Sequence, residues 1–193
     1  MIDATILHIS HQTINHKFVF TMKRVVFSIV TLLMMSAFVV SCSADNDSNC
    51  PENFTGALQT NEEKLVGEWV LSAITADEPV DITDDDQDNP STDLFAQYEE
   101  CQKDGVYTFN ANRSYTFKQG QNGTDCQNKG TFDGTWQLSS NTLSIVDACI
   151  VQNFSLTFNG AQTNFTFSDD FIITDVDNNT IEVNVSFTYS LVP

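Results

Sequence analysis

From Ile181 to Leu191 the chain alternates without a break. Ile181, Val183, Val185, Phe187, Tyr189 and Leu191 are apolar or aromatic, and Glu182, Asn184, Ser186, Thr188 and Ser190 between them are polar. Successive side chains of a strand point to opposite faces, so this period of two predicts a strand with one buried and one wetted face. Such a pattern suits an antiparallel sheet, because parallel strands are covered on both faces. The same rhythm recurs upstream. Residues 106–109 and 114–117 are joined by Asn110-Ala111-Asn112-Arg113, which reads as a turn, and residues 132–138 and 142–146 flank Ser139-Ser140-Asn141. Residues 150–158 carry Phe154, Leu156 and Phe158 in register, Phe165 and Phe167 share one side of a further strand, and residues 171–174 make another. No helix longer than three turns is evident after residue 100. About eight short strands at regular spacing predict an all-β architecture, an up-and-down barrel or a sandwich. Closing the sheet removes its exposed edges, which favours the barrel.

Ahead of these strands, Thr60-Asn61-Glu62-Glu63 has the Thr-x-x-Glu spacing of a capping box and predicts a short helical turn. It leads into Gly67-Glu68-Trp69-Val70-Leu71, where a strand begins. Residues 75–93 are rich in acids, with Pro79 and Pro90 as breakers, and read as a long solvated loop. Residues 91–98 follow as a short helix with Leu94, Phe95 and Tyr98 on one side.

The amino-terminal pattern is of another kind. Residues 25–40 are apolar apart from Ser28, Thr31 and Ser36, and follow Lys23-Arg24. A membrane-spanning helix needs roughly 20 apolar residues, so this run suits a signal peptide better than an anchor. It ends in Val39-Val40-Ser41-Cys42, which resembles the lipobox at which bacterial lipoprotein precursors are diacylated on the cysteine and cut before it. The resemblance implies a signal peptide over residues 1–41, with residues 1–21, ahead of Met22, an over-extended start. It also implies attachment to a membrane through lipid on Cys42. Ser43-Ala44-Asp45-Asn46-Asp47-Ser48-Asn49 is small and polar and cannot bury enough surface to fold. Residues 42–58 are therefore expected to be a flexible linker, and residues 59–193 the folded domain. The acids of the linker loosely resemble the export signals of surface-displayed lipoproteins in Bacteroidetes. The expected location is the cell envelope, lipid-anchored in the outer membrane, with surface display and a periplasmic placement both open.

Removing residues 1–41 sharpens the charge. Of eight cations it takes Lys17, Lys23 and Arg24, and of 26 acids only Asp3, leaving 5 against 25 and a net charge of −20. With no basic patch to release counterions, nucleic acid is excluded as a partner, and so is a polybasic membrane contact. His8, His11 and His16 all precede Cys42. The remaining chain cannot run Ser-His-Asp or Cys-His chemistry, nor build a zinc site with a histidine ligand. Carboxylate mechanisms such as glycoside hydrolysis survive this exclusion.

Four cysteines remain after Cys42: Cys50, Cys101, Cys126 and Cys149. In an oxidising compartment they suggest two disulfides with three possible connectivities. Cys101 and Cys126 each lie just outside a predicted hairpin whose strands bring them together, so this pair is favoured. Cys50–Cys149 then follows by elimination, with a free Cys50 as the alternative.

Leu65-Val66-Gly67-Glu68-Trp69 resembles the Gly-x-Trp opening of lipocalins, placed after a short helical turn and at the first strand. Glu100-Cys101-Gln102-Lys103-Asp104 before a strand, Cys126 after the next, and Gly134-Thr135-Trp136-Gln137-Leu138 extend the likeness. So does the closing pair from Ile172-Ile173-Thr174-Asp175 to Val185. Together these elements resemble the lipocalin-like domain lipoproteins of Bacteroidetes over residues 62–191. The acidic residues 81–93 and the stretch 149–167 are longer than expected for a small member. The resemblance implies a lipocalin-like up-and-down antiparallel β-barrel of about eight strands, with a short helical turn before it. It also implies binding of a small apolar or amphiphilic molecule, without catalysis or cofactor. A surface-exposed carbohydrate-binding or protein-interaction module is the alternative.

Within this reading Gly67 and Trp69 belong to the barrel motif, Trp69 packing its floor. Trp136, Phe109, Phe117, Phe154 and Phe187 are core. Asp84, Asp86 and Asp88 have the first spacings of a calcium loop. Asn89 stands where glycine belongs, however, and Phe95 where the closing glutamate belongs, so a solvated acidic loop is the expectation. Glu99 and Glu100 are adjacent and diverge on any element, which argues against a catalytic carboxylate pair.

Overall fold

The computed structural model describes residues 50–193 apart from Asp84 and Asn128. Cys42, the three histidines and the predicted leader lie outside the described residues. Strands β1 (Gly67–Val80), β2 (Ser91–Asp93), β3 (Val106–Phe109), β4 (Ser114–Gln119), β5 (Gly130–Ser139), β6 (Thr142–Asp147), β7 (Ile150–Ser155), β8 (Thr157–Phe158), β9 (Asn164–Thr174) and β10 (Thr180–Leu191) form one antiparallel sheet. Their order is β7-β6-β5-β4-β3-β1-β10-β9-β8, with β2 beside the end of β1. Helices α1 (Leu94–Gln97) and α2 (Glu100–Lys103) are single turns between β2 and β3.

The two ends of this order are one piece of chain. β7 pairs with β6, and after Leu156 the same segment, as β8, pairs with β9. One strand thus changes partner partway, and the meander comes round on itself as a nearly closed barrel. Counting β7 and β8 as that one strand, eight strands encircle the interior, as the sequence predicts, with β2 outside the circuit.

Alternation places the core. Val183, Val185, Phe187 and Tyr189 of β10 are buried, with Trp69, Ile74 and Ala76 of β1 beside them. Rings fill much of the interior. Trp69 meets Phe165 at 4.9 Å, Phe165 stacks on Tyr189 at 5.2 Å, and Trp136 stands edge-on to Phe109 at 5.4 Å. Gly134 is the direct partner of Tyr115 across β4–β5, and a side chain there would strike both the Tyr115 ring and the Val146 carbonyl.

Four local expectations need correction. Residues 75–80 are not loop: β1 runs on to Val80. A register shift between Leu71 and Ala73 moves the inward set from Trp69 and Leu71 to Ile74 and Ala76, which hides the period of two. Residues 165–174 form one strand rather than two, since Ser168, Asp169 and Asp170 pair with Ser186, Val185 and Asn184. The turn before β1 is a 3-10 turn, Glu63–Leu65, without a Thr60 cap; Glu62 instead accepts the Gln59 amide at 2.6 Å. The capping box lies at α2, between Glu99 and Gln102. Only residues 94–97 of the expected 91–98 helix are helical, because residues 91–93 pair with β1; Asp93 caps the turn by accepting the Ala96 amide.

Both disulfides form as expected, Cys101–Cys126 and Cys50–Cys149. The second anchors a segment expected to be linker. Residues 50–57 are tied to the barrel at Cys149, at Thr135, whose Oγ1 accepts the Phe54 amide, and at Arg113, which takes the Gly56 and Ala57 carbonyls.

Candidate functional site

The barrel is closed where β8 meets β9, at Thr157↔Thr166 and Phe158↔Phe165. Beyond these pairs β7 holds only β6 and β9 holds only β10, so the seam between β7 and the Phe167–Thr174 half of β9 is not hydrogen-bonded. Asp169 marks the opening. Its cross-strand partner is Val185, which is 3% exposed and faces the interior, so Asp169 faces inward too. Asp169 is nevertheless exposed, whereas an inward residue of a sealed barrel would be dry. Phe167, Phe171 and Ile173 on the same face of β9 are half-buried, as are Phe154 and Gln152 on the inner face of β7. Here the barrel is open to solvent.

Below the opening lies a floor of rings. Phe154 and Phe167 meet across the seam at 5.0 Å, Phe167 stacks on Phe187 at 5.4 Å and on Tyr189 at 6.1 Å, and Tyr189 meets Tyr107 edge-on at 5.1 Å. Tyr107 in turn lies 4.5 Å from Phe117. The floor is not wholly apolar, because Tyr107, Tyr115 and Tyr189 carry hydroxyls into it. Among the described residues none gives or takes a hydrogen bond with these three hydroxyls, and no fully buried side-chain oxygen lacks a partner, so all three are within reach of water. Tyr189 is 1% exposed and Tyr115 4%. Burial holds all three phenols well above their ordinary pKa; for Tyr115 the nearby Asp147 carboxylate adds to the effect, and for Tyr189 the neighbouring Tyr107 does. They are neutral at any physiological pH and can both donate and accept.

Asp147 pairs with Ile150 at the end of β6, on the face that carries Leu143 and Ile145 inward. Asp147 and Asp169 are thus both acids on inward strand positions. Among the described residues no cation occupies an inward strand position. Arg113 pairs with Glu62 and Lys103 with Glu100, Lys64 lies over the Phe158 ring, Lys118 points outward on β4, and Lys129 is in a loop.

The opposite end is plugged. Trp69 donates its indole N–H to the Leu65 carbonyl at 2.8 Å, and Trp136 donates to the Asn110 carbonyl at 3.1 Å. Gly67 sits at φ 140° with Leu191 2.8 Å from where a Cβ would stand, so the Gly-x-Trp glycine answers to backbone and space alike. Arg113 and Glu62 form a buried ion pair over this end. Nothing in the spacing of the sequence pairs these two residues. The one available signal was that Arg113 is the only arginine after Arg24.

The other residues singled out in the sequence take structural parts. Asp86 and Asp88 are exposed and Asp84 lies outside the described residues. The loop is instead organised by Asp81, whose carboxylate accepts the Thr83 and Asn89 amides and the Thr83 hydroxyl. The Asn89 bond outweighs desolvation and holds its pKa below the ordinary range. Among the described residues no group of three or more His, Cys, Asp or Glu could hold a metal ion. Glu99 caps α2, and Glu100 pairs with Lys103 at 3.0 Å. A cleft of about 320 Å³ opens beside them, lined by Val70, Phe95, Lys103 and Gly105 among others. Its main acid, Asp104, is already committed to the Gly120 and Asn122 amides.

Fold and site together define a nearly closed antiparallel β-barrel with an aromatic interior opening at one seam, an architecture that fits a lipocalin-like chain. Residues 43–192 match the family described as "Domain of unknown function (DUF5004)", and the chain belongs to it. No curated protein matches the chain.

Proposed function

We propose that this is a lipid-anchored cell-envelope protein whose barrel binds a small apolar or amphiphilic molecule and performs no catalysis. The observation that carries the reading is Asp169, inward-facing yet wet, above a floor of stacked rings. Ligand pockets are concave and mostly apolar, with a few convergent polar groups, and the seam supplies that combination. The absence of histidine after residue 16 supports a binding role over acyl transfer or zinc chemistry.

Anchoring rests on the lipobox-like residues 39–42, with the signal peptide ending at residue 41 and the outer membrane as the expected location. A single acyl chain binds membranes only marginally, so loss of the acylated cysteine matters. Cys42→Ala should move the protein from the membrane to the soluble fraction.

Native mass spectrometry of the protein released gently from membranes tests the binding itself. A co-purified small molecule, or saturable uptake of the neutral fluorophore N-phenyl-1-naphthylamine, is the expected result. A barrel that carries nothing and takes up no probe would sink the reading.

A further inference from the structure

We propose that the barrel interior is a receptor for organic cations, small molecules bearing an amine or quaternary ammonium whose charged end lies against the aromatic floor beneath Asp169 and Asp147. The inference rests on the binding role proposed above and adds the class of ligand.

Three independent features point to this class. Rings border the opening: half-buried Phe154 and Phe167 meet across it at 5.0 Å, and Phe167 is backed by Phe187 and Tyr189 at 5.4 and 6.1 Å. Ring faces carry the negative part of the aromatic quadrupole and attract ammonium groups, more strongly when water is excluded. Asp147 and Asp169 are acids on inward strand positions, and no cation occupies such a position among the described residues. An anionic amphiphile would lose its hydration and find no counter-charge, while a cation would find two. Finally, the Tyr115 and Tyr189 hydroxyls have no bonding partner among the described residues and neither is a stranded buried group, so both remain within reach of water or of a ligand's polar end. A phenol oxygen can accept from an ammonium N–H. The net charge of −20 after residue 41 draws cations toward the opening from outside.

The test is a charge series on one molecular body. Benzyltrimethylammonium, its neutral carbon isostere neopentylbenzene and the anion phenylacetate are titrated by calorimetry and saturation-transfer NMR. The titrand is the full chain in phosphatidylcholine nanodiscs, with empty discs as the blank. The cation should bind roughly tenfold more tightly than the isostere, and the anion most weakly. Asp169 is exposed, so Asp169→Asn should fold normally. It should weaken the cation about fivefold and leave the isostere unchanged. Glu182→Gln, the same loss of charge on the outer face of β10, should change neither. Equal binding of cation and isostere, tightest binding of phenylacetate, or equal effects of the two variants would overturn the cation preference while leaving the binding role intact. Failure of all three probes to bind would overturn both.

Discussion

Arg113 and Glu62, 51 positions apart, meet as a two-point ion pair, Nη1 to Oε1 and Nη2 to Oε2, each at 2.8 Å. Both are buried, and neither is left with idle groups. Arg113 also donates to the Gly56, Ala57 and Trp136 carbonyls, and Glu62 also accepts the Gln59 and Leu138 amides. One charged pair therefore pins the 50–57 segment, the turn before β1, the β3–β4 turn and β5 together. Removing one member of such a pair leaves an uncompensated charge, at a cost of about 3–5 kcal/mol. Arg113→Met should lower the free energy of urea unfolding by about that much. The double variant Glu62→Leu/Arg113→Met should recover a large part of it, because the buried charge is then gone. A double variant as unstable as the sum of the singles would show that the pair contributes nothing through its charges.

The same pair makes stability depend on pH. Desolvation raises the Glu62 pKa, but the hydrogen bonds from Arg113, Gln59 and Leu138 outweigh it and hold the group below the usual carboxylate range. Protons therefore bind Glu62 more readily in the unfolded chain. Its contribution is complete above the unfolded pKa and is lost as pH falls through the folded one. Between pH 6 and pH 3 the wild type should lose more unfolding free energy than Glu62→Gln, which lacks this titration. Parallel pH profiles for the two proteins would count against the assignment.

Where one physical signal dominated, the fold was legible in the sequence. β10 has a wet face and a dry face along its whole length, so alternation alone located it, and the short hairpins β3–β4 and β5–β6 carried turn residues between alternating strands. β1 was legible only to Leu71, because the shift before Ala73 breaks the period and the acids Asp77 and Glu78 mimic a loop. β9 was split for a related reason. Asp169 is an acid on an inward position, which a period-two reading scores as a break, and the barrel tolerates it only because it is open there. The feature that defines the candidate site is thus the one that disrupted the pattern. Glu62–Arg113 left no periodic trace, since a pair across 51 residues is set by tertiary closure.

The two disulfides should differ in what they stabilise. Cross-linking lowers the entropy of the unfolded chain more for a longer loop. For separations of 99 and 25 residues, the chain-entropy relation gives about 4.7 and 3.5 kcal/mol. Cys50→Ser/Cys149→Ser should cost more stability than Cys101→Ser/Cys126→Ser. It should also speed amide exchange at Phe54, whose N–H is held by Thr135 close to the bridge. An unchanged exchange rate there would mean that Arg113 alone holds the 50–57 segment.

Two glycines should resist even alanine, for different reasons. Gly67 has a φ that side chains rarely adopt and lies against Leu191, the partner of Trp69 across β1–β10. Gly134 would place a methyl against a backbone carbonyl, which cannot move aside as a side chain can. Overpacking a filled core costs about 1–3 kcal/mol. Gly67→Ala and Gly134→Ala should each destabilise by at least that much in urea titrations, and Gly160→Ala, in open space, should be close to neutral.

Tyr189 offers a test of what the interior holds. Its ring is fully part of the core, stacking on Phe165 at 5.2 Å and meeting Tyr107 at 5.1 Å, and a phenylalanine would keep every ring contact. Its hydroxyl has no hydrogen-bond partner among the described residues. Among these residues no fully buried side-chain oxygen lacks a partner, so this hydroxyl reaches water, and removing a hydroxyl that water already satisfies changes stability little. For the ligand-free protein, Tyr189→Phe should therefore change the free energy of urea unfolding by less than about 0.5 kcal/mol. The opposite result, a loss of 1 kcal/mol or more on the same scale, would mean that the hydroxyl is already hydrogen-bonded within the barrel. Repeating the measurement with saturating benzylammonium, which has N–H groups for a phenol oxygen to accept, separates the two effects. If the phenol faces the ligand, the stabilisation conferred by the probe should be smaller in Tyr189→Phe than in the wild type.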